Sequence, residues 1–327
     1  MPPYENHERR TAKTEEFYAK TYKQLRQQAA IASGVQTPEF VAPIAIVEHL
    51  IARKSDLSKR TWQLYKSSVA AQFEVAIAEA PDRLVSQEYE YGLQRLRSER
   101  QTGAMTSGKK TSALKAKKLA PEDFATLTAY IERNVGNHKR ARSLLVYCHA
   151  SALLGLRPSE WESANPIQLE GRPALVVRNA KNTQGRGNGE FRTLDLSGLD
   201  KAQLGWVDEM LDLVDGHRDP GAYEDLQKKL GQYISWAARK ALPRRRKYPS
   251  LYTFRHMFAS DAKVASMAGG QDKAWVAALM GHASDATAER SYGKARFGRG
   301  GLAVQPVDAQ VSSVRRKSTP APRTPSN

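Results

Sequence analysis

Cysteine is almost missing from this chain: Cys148 is the single one among 327 residues. One thiol excludes an intramolecular disulfide and any zinc site built on cysteines. Its apolar neighbours predict a buried, inert side chain. Long hydrophobic runs are missing as well. The longest, SLLVYCHASALLGL at 143–156, is too short to cross a bilayer and contains His149, so it predicts a buried helix. The first ten residues, MPPYENHERR, have no apolar core of the kind a signal peptide needs. Acidic residues are scarce: 34 Asp and Glu face 51 Lys and Arg, a formal charge of +17. That excess favours a polyanionic partner, nucleic acid foremost, over a basic protein that merely stays soluble. Together these features lead to the expectation of a cytoplasmic, nucleoid-associated protein in a reducing compartment.

Several familiar site types are also missing. No two of the seven histidines stand at metal-ligand spacing, so no metal and no cofactor is expected. No Gly-x-Ser-x-Gly elbow occurs. GRGNG at 185–189 is rich in glycine but lacks the strand-to-helix setting of a phosphate loop, and it reads as a mobile turn. Only one stretch, GRPALVVRNAKNTQGRGNGEFRTLDL at 171–196, has two β-rich runs around a turn, the pattern of a hairpin.

The rest of the chain is helical in pattern, and the length favours two domains over one. Residues 1–37 form an N-terminal arm with a helix over 14–34 that carries the apolar stripe Phe17, Tyr18, Tyr22 and Leu25. Residues 38–100 form a small helical domain, in which Ser58 caps a helix that stops before Pro81. Residues 101–118 hold five lysines and no acid, the composition of a basic linker that lies along phosphates. Residues 119–297 are globular, and 298–327 are a low-complexity, flexible tail.

Two arginines sit in unexpectedly apolar settings. Arg157 follows the most hydrophobic helix, in GLRPSE, and Arg255 lies within TFRHMFAS. Arginine is rarely buried unless it is paired. Either each meets an internal carboxylate, for which Glu160 is the obvious neighbour of Arg157, or both point into a cleft and hold an anion. LMGH then places His282 at a helix end, and Tyr292 follows ten residues later on the next short helix. A tyrosine there is either core packing or a nucleophile.

GLRPSE, a lysine in the hairpin, TFRHMFAS, LMGH and a following tyrosine occur in that order. This set resembles the tyrosine recombinase (phage integrase) family. The resemblance covers 119–295 as a catalytic domain and, more weakly, 38–100 as a core-binding domain. It implies a mainly α fold with a small β-hairpin or sheet, in a two-domain architecture that clamps DNA. It implies a catalytic set of Arg157, Lys181, Arg255, His282 and the nucleophile Tyr292, with Glu160 and Tyr252 accessory. The chemistry agrees with that set. Two guanidinium forks suit the non-bridging oxygens of a phosphodiester. The phenol would form a 3′-phosphotyrosine that stores the bond energy without ATP or metal. Lys181 is the candidate general acid for the leaving 5′-oxygen, with Arg178 and Arg186 as nearby rivals. His282 would bond the phosphate or move the tyrosine proton.

The match has two departures. Tyr252 stands where the family usually has His or Lys, three before Arg255, so the site has one potential cation fewer. His256, about 100° round the helix from Arg255, reads as packing rather than a substitute. His282 and Tyr292 are also one residue further apart than expected.

Lys109, Lys110, Lys115, Lys117, Lys118, Arg244, Arg245, Arg246 and Lys247 are candidate phosphate contacts. Helices in 58–100 are the expected base readers. The family resemblance further implies double-stranded DNA with specific sites as partner, a dimer on each site and a tetramer in synapsis. It also allows an accessory DNA-bending protein and exchange of the C-terminal segment between protomers. A type IB topoisomerase or a decayed architectural DNA-binding protein stays open. So does the biological role, whether integration, excision or resolution.

Overall fold

A computed structural model of the chain describes residues 10–105, 115–180, 182, 187–286, 295 and 298–316. The chain divides into two compact units, Met1–Lys110 and Thr111–Asn327.

Among its described residues the first unit is built on four α-helices: α1 (Ala12–Ser33), α2 (Pro43–Ala52), α3 (Lys59–Ala78) and α4 (Arg83–Ser98). Each boundary has a local cause. Thr11 caps α1, and Gly34 ends it in the left-handed conformation at φ 68°. Ser58 accepts from the Thr61 amide at the start of α3, and Asp82 accepts from the Val85 amide at the start of α4. The core of this unit joins Leu25, Ala29 and Ala30 of α1 to Ile46, Leu50, Trp62, Phe73 and Leu96. The expectation of a separate arm over 1–37 is therefore corrected: α1 buries a stripe at Leu25 and Ala29, four residues apart, against its neighbours. Phe17, counted in the expected stripe, is half exposed.

The second unit is mainly helical around a small sheet. Among the described residues its helices are α5 (Pro121–Arg133), α6 (Ala141–Leu154), α7 (Lys201–Asp215), α8 (Ala222–Ala241), α9 (Leu251–Ala268), α10 (Lys273–Leu279) and the short α11 (Asp308–Ser312). Helix α6 is buried on nearly all sides, as its apolar composition requires, with Cys148 inside. Four antiparallel strands lie in the order β1 (Asn165–Leu169), β2 (Arg172–Arg178), β3 (Phe191–Asp195), β4 (Gln305–Pro306). Leu175 faces Leu194, and Val177 faces Arg192, all on the buried side. Among the described residues no helix is long and apolar enough to cross a membrane.

The expected hairpin is present as β2 and β3, but two strands escaped the pattern. β1 contains Pro166 and is mostly exposed, so it carries no hydrophobic alternation. β4 is two residues long and comes from the segment read as a flexible tail. That reading is corrected for residues 302–316. Val304 is fully buried, β4 extends the sheet edge, and Val314 packs on Ala274, Ala277 and Ala278 of α10. Hydrogen bonds from the Arg315 amide to the Ala283 carbonyl and from the Asn188 side-chain amide to the Gln310 carbonyl fasten it further. The basic linker is also shorter than 101–118: Ala104 enters the first core, and Ala116 bonds through its backbone to Tyr248 and Thr253.

Gly155 ends α6 at φ 64°, and a Cβ at that position would overlap the ring of Phe258 on α9. Left-handed strain and overpacking act together there. Gly155→Ala is expected to lower the unfolding free energy by about 2 kcal/mol or more, measured by urea denaturation followed by circular dichroism.

Candidate functional site

Arg157, Glu160, Arg255 and His282 are brought together by the meeting of three chain segments. Arg157 lies between α6 and a short 3-10 turn, Pro158–Ser163, whose first residue is pre-set for the turn by its proline ring. Glu160 folds back so that its Oε2 accepts the Arg157 amide at 2.8 Å, while Oε1 accepts from the Arg157 guanidinium. Arg255 sits on α9, which starts at Ser250 with Thr253 Oγ1 accepting the Ser250 amide. Its Nη1 donates to the Gly155 carbonyl and its Nη2 to the Met280 carbonyl, both at 2.6 Å. His282 follows α10 through a glycine turn. Gly281, at φ 63°, bonds back to Ala278, and the His282 amide bonds back to Ala277. These paired bonds form a Schellman closure that fixes where the imidazole leaves the helix. His282 Nε2 then stands 3.5 Å from Arg255 Nη2.

A third arginine, absent from the expected set, completes the group. Arg192 of β3 donates to Glu160 Oε2 at 2.7 Å and to Asn179 Oδ1 at 2.5 Å. Asn179 donates in turn to the carbonyls of Asn188 and Gly189, holding the base of the hairpin. The Ala180 amide, one residue before Lys181, lies 3.3 Å from Glu160 Oε1. The relative exposures are 0% for Arg192, Arg255 and Glu160, 2% for His282 and 6% for Arg157. Alternation was the signal that could have found Arg192: in FRTLD it occupies the same face as the buried Leu194. Nothing in the sequence marked Asn179.

The electrostatics follow from this packing. Burial alone would raise the Glu160 carboxyl, but Arg192, Arg255 and Arg157 outweigh burial and hold it well below the usual carboxylate range. His282 moves the opposite way to a paired histidine. Burial, then Arg255, Arg157 and Arg192, push its pKa down to about 2, so the imidazole is neutral at pH 7. Three buried guanidiniums thus share the one carboxylate of Glu160. The internal salt-bridge alternative for Arg157 and Arg255 is thus half realised. Both meet Glu160, and they do so together with Arg192.

The other expected residues divide. Lys181 and Tyr292 lie outside the described residues, as do Lys109, Lys110 and Arg186. Arg178, a rival to Lys181, is exposed and ion-paired with Glu190 at 3.0 Å. Tyr252 meets His256 one turn along α9, edge to face with centroids 5.6 Å apart. Burial, with Lys117, Arg255 and Lys263, lowers His256 to about 4, so it adds no positive charge at neutral pH. Tyr252 also lines a cleft of about 770 Å³ with Lys115, Lys228, Arg239, Arg246 and Ser250. Lys115, Lys117, Lys118, Arg244, Arg246 and Lys247 are exposed. Arg245 is less so and is ion-paired with Asp123 at the start of α5.

No protein-family model matches the chain, and no curated protein matches it. Solved structures do. One is the XerH site-specific recombinase bound to a palindromic difH substrate in a post-cleavage complex, at 14% identity, covering 83% of this chain and 74% of that one, with a TM-score of 0.49. A λ integrase dimer bound to a COC′ core site matches at 16% identity over 86% and 88%, with a TM-score of 0.49. The Tn1549 transposon integrase in complex with a circular intermediate DNA matches at 16% over 83% and 94%, with a TM-score of 0.42. These are a recombinase and two integrases, the kind of protein the motifs resemble. None of the scores reaches 0.5, and the chemistry has to come from the site.

The buried imidazole makes stability depend on pH. In the unfolded chain His282 takes a proton near 6.5, whereas in the fold it refuses one until about 2. The unfolded state therefore binds more protons in that window, and stability falls as pH falls through it. Between pH 6 and 4 the slope of unfolding free energy against pH is expected to be shallower in His282→Gln than in the wild type, by about 1.4 kcal/mol per pH unit at most. Urea titrations across that range measure it.

Proposed function

We propose that the chain is a site-specific DNA recombinase that cuts and rejoins duplex DNA through Tyr292. The observation that carries this reading is the convergence of three buried guanidiniums, Arg157, Arg192 and Arg255, around Glu160 and beside His282. A buried, pre-aimed cationic site of this kind suits an anion that gains charge in the transition state, as a phosphodiester under attack does. Arg157 and Arg255 hold the non-bridging oxygens. The Tyr292 oxygen forms a bond to phosphorus, and the bond from phosphorus to the 5′-oxygen breaks. Lys181 gives its proton to that 5′-oxygen. The neutral His282 donates its N–H to the phosphate, and the Tyr292 proton passes to solvent as its oxygen bonds to phosphorus. The 3′-phosphotyrosine conserves the bond energy, so attack by a second 5′-hydroxyl reverses the step on a new strand.

The surface supports a duplex partner. Lys115, Lys117, Lys118, Arg244, Arg246 and Lys247 present charge that contacts phosphates without reading sequence. Lys109 and Lys110 join them in this reading. Two sites exchange strands within a tetramer, formed from a dimer on each site.

Randomly nicked DNA from the source organism supplies the test, because a nick beside a cleavage position traps the intermediate. The wild type is expected to form a detergent-resistant adduct whose linked nucleotide maps by mass spectrometry to Tyr292 through a 3′-phosphate. Tyr292→Phe is expected to form none; an equal yield from that variant sinks the reading. Replacing Lys115, Lys117 and Lys118 by Gln is expected to weaken binding to any duplex. It is also expected to flatten the salt dependence, by about 0.9 in log–log slope for each phosphate no longer neutralised, read by fluorescence anisotropy.

A further inference from the structure

We infer that the aromatic face formed by Tyr130, His138, Tyr233 and Trp236 is a stacking platform for unpaired bases, a docking site for single-stranded nucleic acid on the second unit. The inference goes beyond strand cutting at Tyr292 and stands without it.

Four rings from three stretches of chain meet on one side of this unit. Tyr130 lies on α5, His138 in the turn before α6, and Tyr233 and Trp236 one turn apart on α8. The His138 imidazole lies flat on the Tyr233 ring, with centroids 3.8 Å apart and an interplanar angle of 3°. Trp236 runs nearly parallel to both, 5.8 Å from Tyr233 and 6.4 Å from His138, at angles of 19° and 16°. Tyr130 packs against the indole at 6.2 Å. The mounts of these rings are bonded. His138 Nδ1 accepts the Arg140 amide at 3.2 Å, and the Asn134 side-chain amide donates to the Tyr130 carbonyl at 2.7 Å. Tyr233 is buried and Tyr130 and His138 are half-buried, yet Trp236 is 45% exposed. Core packing accounts for the inner rings and leaves the outermost facing water.

Charge selects the occupant. Residues 129–141 contain one acid, Glu132, and residues 230–247 contain none. Arg133 lies three residues after Tyr130 on α5, Lys139 beside His138, and Lys240 four residues after Trp236 on α8, all exposed. Among the described residues none of these three forms an ion pair, whereas Arg142, Arg218, Lys228 and Lys229 all do. A ligand for this face must therefore offer a flat π surface with negative charge beside it, and a nucleotide offers both. Within a duplex each base face is covered by its neighbours. Only an unpaired base can lie on the indole while its phosphates meet the surrounding cations. Trp236 also lies about 100° round α8 from Ser235, which lines the cleft of about 770 Å³ that Tyr252 borders. A strand leaving that cleft round α8 meets the platform.

Binding of fluorescent oligomers of about 12 nucleotides to the full chain tests this, with oligo(dT) compared against an abasic strand of equal length and charge. The wild type is expected to prefer oligo(dT). Trp236→Ala is expected to lose that preference, its oligo(dT) affinity falling about 5- to 100-fold while abasic and duplex affinities stay the same. Tryptophan emission gives a second reading that does not depend on Trp236→Ala folding. Oligo(dT) is expected to quench the wild type and to leave Trp236→Phe, which retains Trp62, Trp161, Trp206 and Trp275, unquenched. Equal oligo(dT) affinity in the wild type and Trp236→Ala, or quenching that persists in Trp236→Phe, overturns the inference. So does quenching that saturates with thymidine monophosphate at the same concentration as with the oligomer, which makes this a site for free nucleotides. Gln at Arg133, Lys139 and Lys240 together is expected to flatten the salt dependence of oligo(dT) binding, by about 0.7 in log–log slope for each phosphate no longer neutralised. An unchanged slope also overturns it. Stacking needs no bond to phosphorus, so Tyr292→Phe is expected to keep the full preference for oligo(dT). A wild-type chain that forms no adduct therefore counts against the proposed function alone.

Discussion

One carboxylate shared among three guanidiniums is the constraint on which the second unit depends. Glu160 receives Arg157 from its own turn, Arg192 from β3 and Arg255 from α9. A buried ion group of this kind adds little net stability, because desolvation opposes the Coulomb gain. Removing one member is costly, because it leaves an uncompensated charge. The geometry is therefore strongly specified even where the net stabilisation is small. The end of α6, the hairpin, α9 and the turn after α10 all meet where those charges can be satisfied.

The same arrangement decides protonation. The guanidiniums that lower Glu160 also lower His282, since each disfavours another positive charge nearby. The site therefore combines permanent cations with an imidazole that stays neutral at ordinary pH and can donate its N–H in a hydrogen bond. Tyr252, at a position where the resembling family usually carries His or Lys, adds a hydrogen-bonding phenol without charge. With three guanidiniums already buried around Glu160, a further cation there would raise repulsion within the group.

Backbone packing holds the chain on both sides of the segment that carries Tyr292. Ahead of it, Ala283 and Asp285 exchange backbone bonds with Arg315. Behind it, Asp261 on α9 accepts both the backbone amide and the guanidinium of Arg299. Gly298 approaches the Ser260 carbonyl so closely that a Cβ would overlap it. The C-terminal stretch that composition marked as a loose tail is, over 302–316, part of what fastens the site. Its short β4 and its two buried valines, Val304 and Val314, are too sparse to form a periodic signal.

The sequence by itself determined the helical character, most caps and the hairpin, because these follow from local spacing: Ser58 and Asp82 before apolar runs, Gly34 and Gly281 after them. It also marked Arg157, Glu160, Arg255 and His282, since a charged side chain in an apolar run needs a reason to be there. Only the tertiary structure decided that these four converge, that a third arginine joins them, and that α1 and residues 302–316 belong to packed cores. The reason is physical. Arg192 comes to Glu160 across 32 positions, and Val314 reaches α10 across more than 30. Contacts at that separation depend on how elements stack, which no local periodicity encodes. The sharing of charge around Glu160 belongs to the same class: it is a property of the assembled group, and no one of its residues carries it alone.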